Sequence, residues 1–542
     1  MRRISLLLLA LATTQAYAAD WPQSRAERTG YTETSHYGDV MDFIRALQGL
    51  GAPIRLQIMG KSTQGRDMPL VVASNPPVSS AAEARRLGKP VVYIQANIHA
   101  GEVEGKEAAQ AILRRACQSA MGLPAPALDS GASFGNILDR VVIVMTPIYN
   151  IDGNENFGPM ERNRPEQVGP QLVGTRANGQ GLDLNRDAMK AESPEMRAVL
   201  RYVYNTWDPD IMMDLHTTDG TRHGFDLTYL PPTHPATEPD VYRYGYDTLI
   251  PAVQKDLKSR YNFAVFAYGD VMNRNGKPAW LTTGPEGRYC TNYVGLRNRI
   301  GILSEAATYI PFKDRVVATD RFVSSVLLYV ADHAKQIQDL SRKADAQVVD
   351  WGLHPEKAPP LAVRTELATR GDETVPVEHL NPGERPPFGR PKAYDQIKMP
   401  IYDRYVATRA ARLPAAYLIP PTEAGTIELL KAHGIEVERL VQPWDGAATR
   451  YTIKEVNPAT TTFQNHHLTG LEGTFVEGMS HADAGWRLVR TAQPLGLLAF
   501  QLLEPESIDG VIAWEVLKNL KVGQTYPILK VPTPPAILSD RD

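Results

Sequence analysis

From about residue 38 to residue 335 the chain alternates short apolar runs with amphipathic stretches, the pattern of an α/β domain whose central strands are buried on both faces. Four runs, 91–96, 141–145, 211–214 and 300–303, predict strands of that sheet. Helical periodicity covers 106–119 and 194–207, where Ser193 suits an N-cap and Pro194 a first helical turn. A last helix is expected over 320–341. Prolines then crowd residues 350–400, which predicts a linker or irregular region. Further on, 415–419, 423–433 and 435–437 read as strand, helix and strand, and 448–456 and 472–490 as β segments. The expectation is an α/β fold with a mixed, largely parallel central sheet flanked by helices in residues 19–345. An irregular segment at 346–400 and a smaller β-rich accessory domain at 401–542 complete it. A length of 542 residues favours more than one domain on its own.

The first residues change the picture of where the chain works. Met1-Arg2-Arg3 precedes a short apolar stretch, and Ala16-Tyr17-Ala18 offers a small-x-small cleavage site. Residues 1–18 therefore read as a secretory signal, so the protein is expected to be exported, periplasmic or secreted, with no membrane anchor once the signal is removed. Without Arg2 and Arg3, 56 basic residues face 61 acidic ones, a net charge of about −5. That balance argues against nucleic acid or an anionic membrane as partner and favours a small ligand or peptide. Cys117 and Cys290 are the two cysteines; a disulfide and two separate buried thiols are equally open readings.

Candidate chemistry begins at Gln95-Ala96-Asn97-Ile98-His99-Ala100-Gly101-Glu102, where a His and a Glu three residues apart follow a strand and can converge on one ion. A catalytic zinc takes about three such ligands and keeps a position for water. H-x-x-E alone recurs by chance, so the pair needs a third ligand. His216, at the end of the next apolar run, is the candidate, with Asp214 two residues earlier as a partner. Between them lie Pro147-Ile148-Tyr149-Asn150-Ile151-Asp152-Gly153 and Asp183-Leu184-Asn185-Arg186-Asp187, and Glu305 ends the late strand.

Taken in this order, the His99/Glu102 pair, the P-x-x-N-x-D-G turn, D-L-N-R, D-L-H and a strand ending in Glu resemble the M14 zinc carboxypeptidase family over roughly residues 30–335. The stretches 37–42 and 60–66 also look like the start of that family's catalytic domain. The resemblance implies one zinc per chain on His99, Glu102 and His216, with Glu305 as general base. It further implies that Asn185 and Arg186 grip a peptide's free C-terminal carboxylate, a task suited to the planar guanidinium fork. For the arginine that holds the developing oxyanion, Arg176 comes first and Arg164 second; for the tyrosine that closes over substrate, Tyr293 is the candidate, with Tyr289 nearby. Asp187 stands where many relatives have Asn, which puts the shape of the carboxylate pocket in question. Asp219, Arg222 and His223 form a polar loop expected to be solvent-exposed. The implied activity is removal of a C-terminal residue from peptides. Two alternatives stay open: a peptidase of cell-wall stem peptides, and a zinc-containing peptide-binding protein without turnover.

Overall fold

A computed structural model describes residues 21–125, 128, 134–381, 383–384, 386, 388–533 and 539–541; the expected export signal, residues 1–18, lies outside the described residues. Eight strands build the central sheet: β1 (Ile54–Lys61), β2 (Asp67–Ala73), β3 (Val91–Ala96), β4 (Val142–Thr146), β5 (Ile211–Thr217), β6 (Leu227–Leu230), β7 (Phe266–Ala267) and β8 (Ile300–Ala306). Their spatial order is β1-β2-β4-β3-β5-β8-β6-β7. The four central strands run parallel, and β2 and β6 flank them antiparallel. The mixed α/β sheet is therefore the one its pattern predicts. Every residue of β3, β5 and β8 is buried, which is why these strands read as unbroken apolar runs.

Five helices matter for the site: α1 (Glu104–Ala120), α2 (Pro194–Val199), α3 (Cys290–Leu296), α4 (Phe312–Asp332) and α5 (Ala334–Leu353). Ser193 caps α2 as expected, accepting from Met196 N at 3.0 Å, but the α-helix ends at Val199 and a π turn carries the chain on through Tyr204. The single helix expected over 320–341 is instead two, α4 and α5, parted at His333. The first turn of α1 lies against β5 so closely that a Cβ on Gly105 would come 2.8 Å from Leu215 Cβ. Arg315 of α4 is fully buried and donates to Glu104 Oε2 of α1 (3.2 Å) and to the carbonyls of Val168 (3.0 Å), Ile310 (2.8 Å) and Gly169 (2.6 Å). Glu104 also accepts from the hydroxyl of Thr217, the neighbour of His216 in β5.

The segment 346–400 departs from expectation. It holds the end of α5 and strands Leu361–Ala368, Asp372–Glu378 and Tyr394–Tyr402. The last two join Asp270–Arg274 and Lys277–Leu281 in a four-stranded sheet. Pro376 lies in the strand at its edge, where a missing N–H costs no ladder bond, so proline content misled the sequence reading. Farther along, a seven-stranded antiparallel sheet runs in the order Thr469–Ala482, Trp444–Pro458, Leu529–Val531, Ala416–Ile419, Arg487–Arg490, Glu438–Leu440, Ser539–Arg541. One apolar core runs continuously from Trp21 through Tyr204, Tyr293 and Trp351 to Trp514 and Ile528, so this β-rich region is packed onto the α/β part. Cys117 and Cys290 are free thiols, both buried. No helix among the described residues is long and apolar enough to cross a membrane.

The Arg315–Glu104 pair yields a prediction. Arg315→Met is expected to destabilise the protein by about 3–5 kcal/mol, because it leaves a buried carboxylate without its cation beside the strand that carries His216. Thermal unfolding by circular dichroism reads this as a lowered midpoint; an unchanged midpoint would refute it.

Candidate metal centre and active site

The site lies at the carboxyl ends of the central parallel strands. β3 ends at Ala96, and Asn97 takes a left-handed conformation (φ 65°) that Asn tolerates, turning the chain sharply into the His99 loop. The backbone bond from Glu102 N to His99 O (2.9 Å) then closes a turn with both side chains on one side. Gly101 is required inside it, since a Cβ there would fall 2.8 Å from Arg164 Cγ. On the neighbouring strands His216 of β5 and Glu305 of β8 are register partners, so they emerge side by side on one sheet face. Both lie within their strands, which run past the ends of their apolar runs, to Thr217 and Ala306.

His99 Nδ1 lies 2.9 Å from Glu102 Oε1, His216 Nδ1 3.0 Å from Glu102 Oε2, and the two Nδ1 atoms are 3.2 Å apart. His99, Glu102 and His216 are all buried, and each offers a ligand atom within 4.8 Å of the others. Two imidazole nitrogens and a carboxylate at this spacing form the donor set of a catalytic zinc site, so the residues fit that ion. The far ring nitrogens face carboxylates as well: His99 Nε2 is 3.0 Å from Asp183 Oδ1, and His216 Nε2 3.0 Å from Asp214 Oδ2. Carboxylates in those places fix the ring orientation and leave Nδ1 to the metal. Gln95, the register partner of Asp214 on β3, donates to its Oδ1 at 3.1 Å.

Burial opposes charge throughout this site. It works against the Glu102 carboxylate, but His99, Arg164 and His216 outweigh it and hold that carboxyl well below the usual range. At Glu305 burial prevails and pushes the carboxyl well above the usual range, against the pull of His216. The two acids of the cleft thus differ in proton affinity, one fixed as an anion and one inclined to take a proton.

A cleft of about 350 Å³ opens over these groups. Arg176 reaches into it with a side chain 42% exposed; its Nε donates to Asp183 Oδ2 at 2.9 Å, and Nη1 is 3.5 Å from Glu102 Oε1. Arg164 also borders the cleft but is buried; its guanidinium donates to Glu102 Oε1 (3.3 Å) and to the carbonyls of Thr217 (3.1 Å) and Thr218 (3.3 Å), while its Nε lies 3.2 Å from Glu166 Oε1 as an ion pair without a hydrogen bond. Asn185 and Arg186 line the cleft as well, and Arg186 Nη2 lies 3.9 Å from the Asp183 Oδ2 that Arg176 meets. Asn185 Oδ1 accepts from Cys290 N at 3.1 Å, and the Arg186 guanidinium stacks 4.5 Å over the ring of Tyr289.

Tyr293 is not brought to the site. It sits one turn inside α3, fully buried, with its hydroxyl 2.8 Å from His433 Nδ1 and its ring beside Tyr204. Tyr289, just before the helix, lines the cleft instead, as does Tyr268, which the sequence reading missed. Asp183, which opens D-L-N-R, is a residue of the site that sequence reasoning does not single out; its place two residues before Asn185 is the available signal. Asp187 is wholly buried away from the cleft, where it accepts from Glu192 N (3.0 Å), Ser193 N (2.9 Å) and Lys190 Nζ (2.7 Å). The loop after His216 corrects another expectation. Asp219 is exposed, but Arg222 is paired with Glu378 at 2.5 Å and His223 is buried and bridged to Val377, with its pKa pushed down to about 4 by burial. The folded 372–378 strand covers what looked like a solvent loop.

The zinc carboxypeptidase family model (Peptidase M14) matches residues 40–221. Carboxypeptidase 2 of Trichophyton tonsurans is 21% identical over 498 residues, covering 87% of this chain and 81% of the relative. Among solved structures, a metallo-carboxypeptidase from Burkholderia cenocepacia is similar at a TM-score of 0.40 and 16% identity, covering 55% of this chain and 69% of that one. A metallo-carboxypeptidase from Pseudomonas aeruginosa is similar at 0.38 and 18%, covering 56% and 70%. The stretch that holds His99, Glu102, Asp183, Asn185, Arg186 and His216 is the stretch that the family model spans, so in this part the chain is similar to the M14 zinc carboxypeptidases.

Proposed function

We propose that this chain is a zinc metallocarboxypeptidase that binds one zinc on His99, Glu102 and His216 and releases the C-terminal residue of peptides after export, in the periplasm or outside the cell. The observation that carries the reading is the convergence of two buried histidines and a buried carboxylate beside Glu305, in one cleft with Arg176 and Arg186. A zinc ion held there would supply Lewis acidity and an acidified water.

The remaining work falls to side chains. Arg186, stacked on Tyr289, presents its fork to the terminal carboxylate, and Asn185 adds a donor beside it. That grip sets which peptide bond reaches the metal-ligand cluster. Glu305 takes a proton from the attacking water and returns it to the amine nitrogen as the C–N bond breaks, a cycle suited to a carboxyl whose proton affinity burial has raised. Arg176, partly exposed and oriented by Asp183, faces the oxygen on which negative charge develops. Arg164, buried, braces Glu102 and the strand end at Thr217.

The rest of the cleft lining bears on which side chain fits. Leu230, Pro231, Thr283, Thr291, Asn292 and Leu303, none of them ionisable, line the same cleft as Arg186 and Tyr289. Asn292 is engaged internally, accepting from Thr233 N at 2.7 Å and donating to the carbonyls of Gly284 and Glu286 at 3.3 Å. A charged terminal side chain would lose its hydration there without a counter-charge.

Three outcomes follow. Glu305→Gln is expected to keep zinc and lose roughly 100- to 10,000-fold in kcat, read from release of C-terminal residues together with metal content; zinc-loaded variant with wild-type turnover would refute the base. Across a panel of peptides differing in the last residue, neutral side chains are expected to be cut in preference to Lys, Arg, Asp or Glu, and C-terminal amides to resist. Cleavage of stem peptides alone, or zinc binding without any turnover, would overturn the carboxypeptidase reading. Arg186→Ala is expected to raise KM for free-acid peptides roughly 10- to 100-fold, the worth of a hydrogen bond to a charged group, and an unchanged KM would remove Arg186 from the carboxylate grip.

A further inference from the structure

The β-rich C-terminal region reaches back to the active site through one tight turn. Phe463 and His466 close it with two backbone bonds, Phe463 N to His466 O (2.7 Å) and His466 N to Phe463 O (3.0 Å). The two residues between them are both left-handed, Gln464 at φ 51° and Asn465 at φ 66°. Asn is at ease in that conformation. Gln is not, and a non-glycine residue held there costs on the order of 1 kcal/mol.

The Gln464 side chain supplies a reason for that residue. Its Oε1 accepts from the backbone N–H of Asp183 at 2.8 Å, across 281 residues of sequence. Asp183 is the junction of the site: its Oδ1 faces His99 Nε2 (3.0 Å) and accepts from Asn185 N (2.9 Å), and its Oδ2 accepts from Arg176 Nε (2.9 Å). The same region pins both ends of this wall. His466 Nε2 meets Glu192 Oε1 at 2.8 Å, just past the Asp187 loop. Asp509 accepts from Arg288 N at 2.5 Å, immediately before Tyr289, and is itself held by Trp514 Nε1 at 2.7 Å. The Arg288 guanidinium lies between the rings of Trp514 and Phe463, at 4.8 and 5.5 Å.

We infer that the Phe463–His466 turn is a built-in part of the active site, in which Gln464 is a positioning residue: by holding Asp183 it orients His99 toward the metal and Arg176 toward the developing oxyanion. The C-terminal region thereby acts on catalysis without touching substrate. The kinetic part of this inference rests on the carboxypeptidase reading; the part concerning zinc does not.

Two variants of the full-length protein separate positioning from mere stability. Gln464→Leu keeps the bulk and removes the acceptor. Gln464→Gly removes the acceptor and also relieves the left-handed backbone, so a purely structural turn would tolerate it or gain stability. Zinc affinity is measured by competition with a chelator, peptide hydrolysis by kcat and KM, and folding by thermal midpoint, with kinetics taken well below that midpoint. Both variants are expected to bind zinc about tenfold more weakly, as loss of an outer partner of a metal ligand does. At saturating zinc, kcat is expected to fall about tenfold, with a smaller rise in KM because Asp183 also accepts from Asn185 N. Gln464→Gly should show both losses with a midpoint no lower than wild type. Wild-type zinc affinity and kcat in either variant would overturn the inference, as would a change confined to KM. If the wild type itself hydrolyses no peptide, the carboxypeptidase reading fails, and the zinc measurement still decides the positioning role.

Discussion

A negative charge is buried at the centre of this molecule, and the surroundings are arranged to tolerate it. Glu102 is only 3% exposed, and an isolated carboxylate there would be prohibitively costly. Its oxygens meet His99 and His216, Arg164 at 3.3 Å and the backbone N–H of Thr217 at 3.1 Å. Each partner carries a structural demand. His216 and Thr217 must come from the middle strand, Arg164 from the loop that Gly101 admits, and His99 from the turn that Asn97 starts. A divalent cation held by His99, Glu102 and His216 would relieve the crowding of Glu102, Asp183, Asp214 and Glu305, so the constraint that shapes the fold here also suits a metal site.

Local patterns made much of this legible. His99 and Glu102 lie three residues apart after an apolar run, and His216 and Glu305 lie where later runs end, so strand ends alone bring four groups to one edge of the sheet. What the pattern missed is that β5 and β8 continue through these residues, which puts His216 and Glu305 in register rather than on loose loops. Helix phase defeated the choice of tyrosine. With α3 starting at Cys290, Tyr289 stays outside on the cleft wall as the residue before the helix, and Tyr293 turns inward against Tyr204 and His433. Arg164 and Arg176 could not be ranked by spacing, whereas burial separates them, since one is buried and the other is partly open.

The proline-rich stretch failed for a different reason. Proline excludes a central strand but not an edge strand, and sequence alone does not reveal which strand is the edge. Once Asp372–Glu378 is seen as the rim of a sheet begun at residue 270, the supposed linker becomes part of the catalytic body, and Arg222 and His223 beneath it lose their solvent.

The C-terminal region shows where reading in order along the chain stops helping. Gln464 and Asp183, or Asp509 and Arg288, are joined by no periodicity and no shared motif; they meet because one apolar core runs from the α/β sheet into the seven-stranded sheet. A continuous core of that kind has a mechanical consequence. Close-packed interiors transmit displacement rather than absorb it, so the loops bearing Asp183 and Tyr289 are positioned by side chains hundreds of residues away as firmly as by their own neighbours. The left-handed backbone at Gln464 is the local sign of that coupling, because a strained turn persists only where its surroundings over-determine it. Here those surroundings are the active site, whose geometry and the fold of the C-terminal region are one problem with one solution.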